Sequence, residues 1–151
     1  MYGRLIHFRP PRIAMTLLAA AAVAQLIVPA SWTQRFAPAS VAAAVAAAGF
    51  AVMMIAWFQF RTHEVAICPT ERTTFLITDG IYRYTRNPMY LGMVAMLAGV
   101  AMYFGTIPFY AATIAYFLLL DRLFCRYEED KLLAGFGTEF ERYRSRVRRW
   151  I

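Results

Sequence analysis

From about residue 39 to residue 60 the chain carries no charged side chain. A helix of about 20 such residues, at 1.5 Å per residue, matches the roughly 30 Å hydrocarbon thickness of a bilayer, where only a helix or a closed barrel satisfies its own backbone groups. Three more apolar runs accompany it, at about 13–30, 88–104 and 107–124. With 60% hydrophobic residues in 151, the chain has more apolar surface than a small soluble core encloses. The expected fold is an all-α integral membrane protein, one domain over 1–151 with four transmembrane helices. A cytoplasmic loop at 61–87 and a cytoplasmic C-terminal segment at 125–151, ending in an amphipathic helix, complete it.

Arg4, Arg9 and Arg12 precede the first run, and small residues near Ala30 and Ser31 follow it. The same pattern would suit a secretory leader; the reading adopted is a first transmembrane helix. Arg35 and Pro38 mark a turn, and Ala44 and Ala48 put small residues four apart for close helix packing. The third run is short, so the bilayer thins around it or the preceding loop dips inward. Gly92, Ala95 and Gly99 make one smooth face there, open either to a neighbouring helix or to a cofactor. Methionines 89, 93, 96 and 102 are adaptable apolar filler. Asp121 and Arg122 mark the exit of the fourth run, whose helix should continue through Glu128, Glu129 and Lys131 until Gly135 and Gly137 stop it. Thr138 with Glu141 reads as a capping box that starts a last helix.

Four spans place both termini and the 61–87 loop on one side, which then holds fifteen of the sixteen Lys and Arg residues, with only Arg35 opposite. By the positive-inside rule that side is cytoplasmic, and the expected location is a bacterial inner membrane with the active site facing the cytoplasm. Cys68 and Cys125 fall on the reducing side, so no disulfide is expected. His7 and His63 form no cluster at ligand spacing, so no metal site is expected. The net charge of +7 flanks apolar runs and accompanies no nucleic-acid motif, which makes lipid headgroups the partner and excludes nucleic acid.

Within the polar loop, Pro69 breaks the chain, Phe75-Leu76-Ile77 gives an apolar patch, and Asp79-Gly80 signals a turn; a partly ordered flap at the membrane surface is expected. The loop then passes directly into an apolar helix through Gly80-Ile-Tyr-Arg-Tyr-Thr-Arg-Asn-Pro-Met-Tyr-Leu-Gly92. Asn87 can cap a free N–H and Pro88 suits the first helical position. A helix N-terminus beside Arg86 favours an anionic group, although a capped helix with arginine at the headgroups has the same sequence.

At the other end, Phe140, Tyr143, Val147 and Trp150 recur at three, four and three residues, an apolar face able to lie on the membrane. Five arginines among the last ten residues read as a basic tether with one of them turned inward. Glu128 and Glu129 are about 100° apart on a helix, so at most one faces a shared site; alternatively both are solvated and paired with Arg126 or Lys131.

Two blocks carry a family resemblance. Gly80, Tyr82, Arg83, Arg86, Asn87, Pro88, Tyr90 and Gly92 resemble the first signature of the isoprenylcysteine carboxyl methyltransferase and phospholipid methyltransferase family. Glu128-Glu129, then Phe136-Gly137-x-Glu139-Phe140, Tyr143 and Val147-Arg-Arg149-Trp150 resemble its second. Phe140 replaces the common Tyr and Arg148 the common Pro, which leaves Arg148 and Arg149 as alternatives for the arginine of the pattern. The resemblance, spanning about 57–151, implies an integral membrane enzyme that uses S-adenosylmethionine. It implies a cofactor site built from Gly80, Tyr82, Arg83, Asn87, Pro88, Tyr90, Gly92 and Tyr143, with Arg86, Glu128, Glu129 and Arg149 as catalytic residues. The acceptor would be hydrophobic and lipid-like, entering from the bilayer. A carboxylate such as that of an isoprenylated cysteine would need a cation to orient it, whereas a phospholipid amine would need a base, for which a glutamate is available. Two other readings are an NADPH-dependent membrane reductase of the sterol reductase type and a non-enzymatic adaptor that binds anionic lipid.

Overall fold

Two antiparallel apolar helices, packed along a stripe of small residues, form the spine of the protein. In a computed structural model, which describes residues 10–27, 29, 33, 35–62 and 75–151, these are α2 (Ala39–Thr62) and α3 (Pro88–Phe104). Only Ala42, Gly49 and Ala56 of α2 are buried, seven residues apart. The smooth face expected at Gly92, Ala95 and Gly99 is the one that meets them. A Cβ on Gly92 would stand 2.6 Å from the Gly49 carbonyl oxygen, and one on Gly99 2.6 Å from the Ala46 nitrogen, so these glycines let the two backbones touch. Ala44 and Ala48, expected at the packing face, are exposed instead.

The remaining helices close around α3. Helix α1 (Pro10–Gln25) contributes Ala14 and Ala21, and α4 (Ile107–Leu119) contributes Phe109, Ala112 and Tyr116. Ala14, Tyr90, Leu97, Tyr116 and Phe124 share one buried cluster. The Tyr116 hydroxyl donates to the Pro10 carbonyl, 3.2 Å away. Between α3 and α4, Gly105 takes φ +67 and Thr106 bridges to Thr33.

Helix α4 does not stop at the end of the apolar run. It passes through a π-helical turn, Leu120–Phe124, into α5 (Cys125–Phe136), making 30 continuous helical residues. About 20 suffice for a bilayer, and the later turns, with Glu128 and Glu129, lie beyond the apolar run at 107–124. Gly135 lies inside α5, and Gly137, at φ +50, makes the stop. Thr138 then begins α6 (Thr138–Arg146) behind Gly137, which holds the N-cap position without a side-chain cap; the expected capping box does not form.

Among the described residues two helices, α2 and the α4–α5 continuum, are long and apolar enough to cross a membrane, fewer than the four expected, and α3 is a shorter apolar helix of 17 residues. Only 17% of the apolar window of α2 is buried within the protein, and Phe50, Ile55 and Phe58 face outward. A helix buried in a soluble core would be covered, whereas this outward-facing apolar surface suits a lipid environment.

The loop expectation is met in part. Residues 63–74, with His63, Cys68 and Pro69, lie outside the described residues, as do Arg4, His7, Arg9, Ala30 and Ser31. Beyond them Leu76 and Ile77 are buried while Phe75 is exposed, and the Asp79-Gly80 turn opens a short 3-10 helix, Gly80–Arg83. Gln59 of α2 pins that turn: its Nε2 donates to the Asp79 carbonyl and to Asp79 Oδ1, both at 2.9 Å, and its Oε1 accepts from Ile81 N at 3.2 Å. Gly80 sits at φ +53 directly over the Gln59 amide, where any side chain would collide.

Candidate functional site

Three stretches distant in sequence converge on the start of α3: the turn at 84–87, the helix at 121–129, and the strand-like tail at 147–150. The tail is captured by its backbone. Arg86 N donates to the Arg148 carbonyl at 3.0 Å, while the Thr85 hydroxyl and the Asn87 amide donate to the Arg149 carbonyl at 3.0 and 3.2 Å. The Thr85 oxygen also accepts from Asn87 N at 3.2 Å. Asn87 holds the N-cap position of α3, but its side chain makes no capping bond because it is committed to Arg149. The first N–H groups of α3 are left without a side-chain cap, a partly positive helix end.

Held this way, Arg149 is the arginine that turns inward, which decides between the two candidates. Its Nε and Nη2 reach Glu129 Oε1 and Oε2 at 2.8 and 2.6 Å, and its Nη1 reaches Asp121 Oδ1 at 2.9 Å. Asp121 also accepts from Trp150 Nε1 at 2.9 Å, and the Trp150 ring packs on Phe117 at 4.9 Å. Arg86 approaches from the opposite side, with Nη1 2.8 Å from Glu129 Oε1. That contact is an ion pair without hydrogen-bond alignment, and the buried Arg86 Nε has no partner among the described residues. Burial lowers the pKa of the Arg86 guanidinium and Glu129 opposes the shift; arginine stays charged regardless. Hydrogen bonds to Glu129 raise the Arg149 guanidinium above its ordinary value. Two guanidinium groups against Glu129 and Asp121 make a nearly neutral set with donors to spare.

Glu128 points elsewhere, as the 100° offset requires. Its Oε1 accepts from the Tyr90 hydroxyl at 2.5 Å, and the residue is half-buried. Burial pushes that carboxyl up to about 7, with the Tyr90 hydrogen bond pulling the other way. Neither glutamate is exposed: Glu129 clamps two arginines, and Glu128 is a half-buried acid beside a tyrosine, with Lys131 near enough to act on its charge.

The structure brings Arg86, Asn87, Tyr90, Glu128, Glu129 and Arg149 together, with Pro88 fully buried beneath them. Tyr82 and Tyr143 form a separate tie: the Tyr143 hydroxyl donates to the Tyr82 carbonyl at 2.7 Å, and burial pushes Tyr143 up to about 12, so it remains a donor. Arg83 is exposed beyond that tie. Gly80 and Gly92 lie against Gln59 and α2, so packing alone accounts for both glycines. The apolar face of α6 does not lie on a membrane either, since Phe140 and Tyr143 are buried against Leu76. Asp121, Thr85, Trp150 and Gln59 were absent from the residues singled out for the site; only Asp121, a carboxylate closing an apolar run, carried a signal.

The phospholipid methyltransferase family model matches residues 38–139, which include every site residue except Tyr143 and those of the tail. A Schizosaccharomyces pombe protein-S-isoprenylcysteine O-methyltransferase is 36% identical over 75 residues, covering 48% of this chain and 30% of the relative. This chain therefore matches about a third of that relative's length. An uncharacterized Haemophilus influenzae protein is 30% identical over 63 residues, covering 42% of this chain and 100% of that protein. No solved structure is significantly similar.

Proposed function

The chain belongs to the phospholipid methyltransferase family, and from this premise we propose that it is a membrane-embedded methyltransferase that uses S-adenosylmethionine to methylate a hydrophobic, lipid-like acceptor. The observation that carries the reading is the Arg86–Glu129–Arg149 cluster at the uncapped start of α3, beside the Tyr90–Glu128 pair and ringed by outward-facing apolar helices.

The residues present fit such a cofactor. The unpartnered Arg86 Nε and the free N–H groups of α3 offer donors for a carboxylate. When bound, S-adenosylmethionine supplies an electrophilic methyl group on a sulfonium. The protein's part is positioning and exclusion of water. Glu129 fixes the angle between Arg86 and Arg149, and Asp121 and Trp150 hold Arg149 from behind. Tyr90 orients Glu128, whose raised pKa lets it take a proton from an amine acceptor near neutrality. A carboxylate acceptor needs no base, and Arg86 or Arg149 would orient it.

In this reading α1 and α3 also cross the bilayer. They are about 24 and 26 Å long at 1.5 Å per residue, short enough to thin it locally. The cluster, both termini and the 61–87 loop then share the arginine-rich, cytoplasmic side.

Calorimetric titration of detergent-purified protein with S-adenosylmethionine, S-adenosylhomocysteine and NADPH tests the reading. Binding of the first two that is lost in Arg86→Ala supports it. Binding of NADPH alone, or of none, overturns it.

A further inference from the structure

The arginines of α6 have a more specific setting than a membrane tether. Because Phe140 and Tyr143 are buried against Leu76, the polar face of α6 is turned toward the 3-10 turn. Between the two lies a cleft of about 720 Å³, within the range of small-molecule sites. Arg142 and Arg146 line it one helical turn apart, where like charges repel, and Arg83 lines it from the end of the 3-10 turn. Among the described residues none of these three guanidinium groups has an ion-pair partner. Asp79 and Glu139 also line the cleft, so three cations face two carboxylates. Asp79 already accepts from Gln59, and the Tyr143 hydroxyl is committed to Tyr82. The unspent groups are the guanidinium forks, whose planar donors match phosphate oxygens in pairs.

We propose that this cleft binds a phosphate-bearing ligand through Arg83, Arg142 and Arg146, the phosphate belonging either to a soluble compound or to the headgroup of an anionic lipid. Binding there does not depend on methyl transfer. Neither Arg86, Glu129 nor Arg149 lines this cleft.

The test is calorimetry on the full chain in neutral detergent, titrated separately with pyrophosphate and with dispersed short-chain phosphatidylglycerol. At least one should bind, weakening about tenfold or more in Arg142→Gln/Arg146→Gln and in Arg83→Gln as charge-assisted bonds are lost. Arg126→Gln, which removes the same charge from an exposed position on α5, should leave binding unchanged. All four substituted arginines are exposed, and equal melting temperatures would show that the variants fold. Pyrophosphate binding alone identifies a soluble ligand and lipid binding alone a headgroup. Three results overturn the site: no binding of either ligand, an equal loss in Arg126→Gln, or a loss confined to S-adenosylmethionine in the cleft variants.

Discussion

Arg149 grips Glu129 with two of its nitrogens, Nε to Oε1 at 2.8 Å and Nη2 to Oε2 at 2.6 Å, while its third reaches Asp121. A lysine ammonium is a point donor and cannot span both carboxylates in this geometry. Arg149→Lys should therefore destabilise the protein by about 2 kcal/mol, the scale of hydrogen bonds to charged groups. Chemical denaturation in detergent measures this; an unchanged midpoint would show the fork to be incidental.

The half-buried Glu128 makes stability depend on pH. Its folded pKa, pushed up to about 7 from an ordinary 4.5, means that the native state holds a proton the unfolded chain has released. Stability is therefore greatest below the unfolded value and falls as pH rises through the interval up to about 7. Melting temperatures should drop across pH 5–8 in the wild type and flatten in Glu128→Gln. Tyr90→Phe removes the hydrogen bond that lowers the pKa, so the falling stretch should extend to higher pH.

Gly92 and Gly135 should respond to alanine with opposite signs. At Gly92 the new Cβ meets the α2 backbone, and pushing two helices apart costs about 1–3 kcal/mol, as overpacking does. At Gly135 nothing lies within 4 Å, so the better helix former should stabilise by up to about 1 kcal/mol. Thermal melts of the two variants decide the matter.

Thr85 and Asn87 donate to the same Arg149 carbonyl. Thr85→Val and Asn87→Ala should each cost about 1 kcal/mol, and the double variant should cost more than their sum, because either donor alone partly satisfies the oxygen. A double-mutant cycle on unfolding free energy that came out additive would contradict the shared acceptor.

Much of the architecture was legible because its signals are local. The apolar runs at 39–60, 88–104 and 107–124 are helical, the Asp79-Gly80 turn and the Pro88 start of α3 lie where the sequence puts them, and Arg86, Asn87 and Tyr90 stand beside Glu128 and Glu129 in the fold, whereas the first run, expected at 13–30, is a helix over Pro10–Gln25. What stayed hidden depends on partners far along the chain. Asn87 has the chemistry of a cap and is used instead on a carbonyl 62 residues away. Phe140 and Tyr143 show a membrane-facing period, yet Leu76 covers them. Gly92 sits next to the site in sequence, but its open side belongs to α2. The inward direction of Glu129 follows partly from the π turn, whose extra residue rotates the helix after it by about 100°, a shift that no 3.6-residue pattern announces.

The tail that closes the start of α3 also sets an order in time. Thr85, Arg86 and Asn87 are synthesised some sixty residues before the carbonyls that receive them. Until the tail has been made, the apolar helices can already enter the bilayer, but Glu129 lacks Arg149. The cluster is completed only once residue 149 has left the ribosome, so a chain stalled during synthesis would be inserted yet lack its finished site.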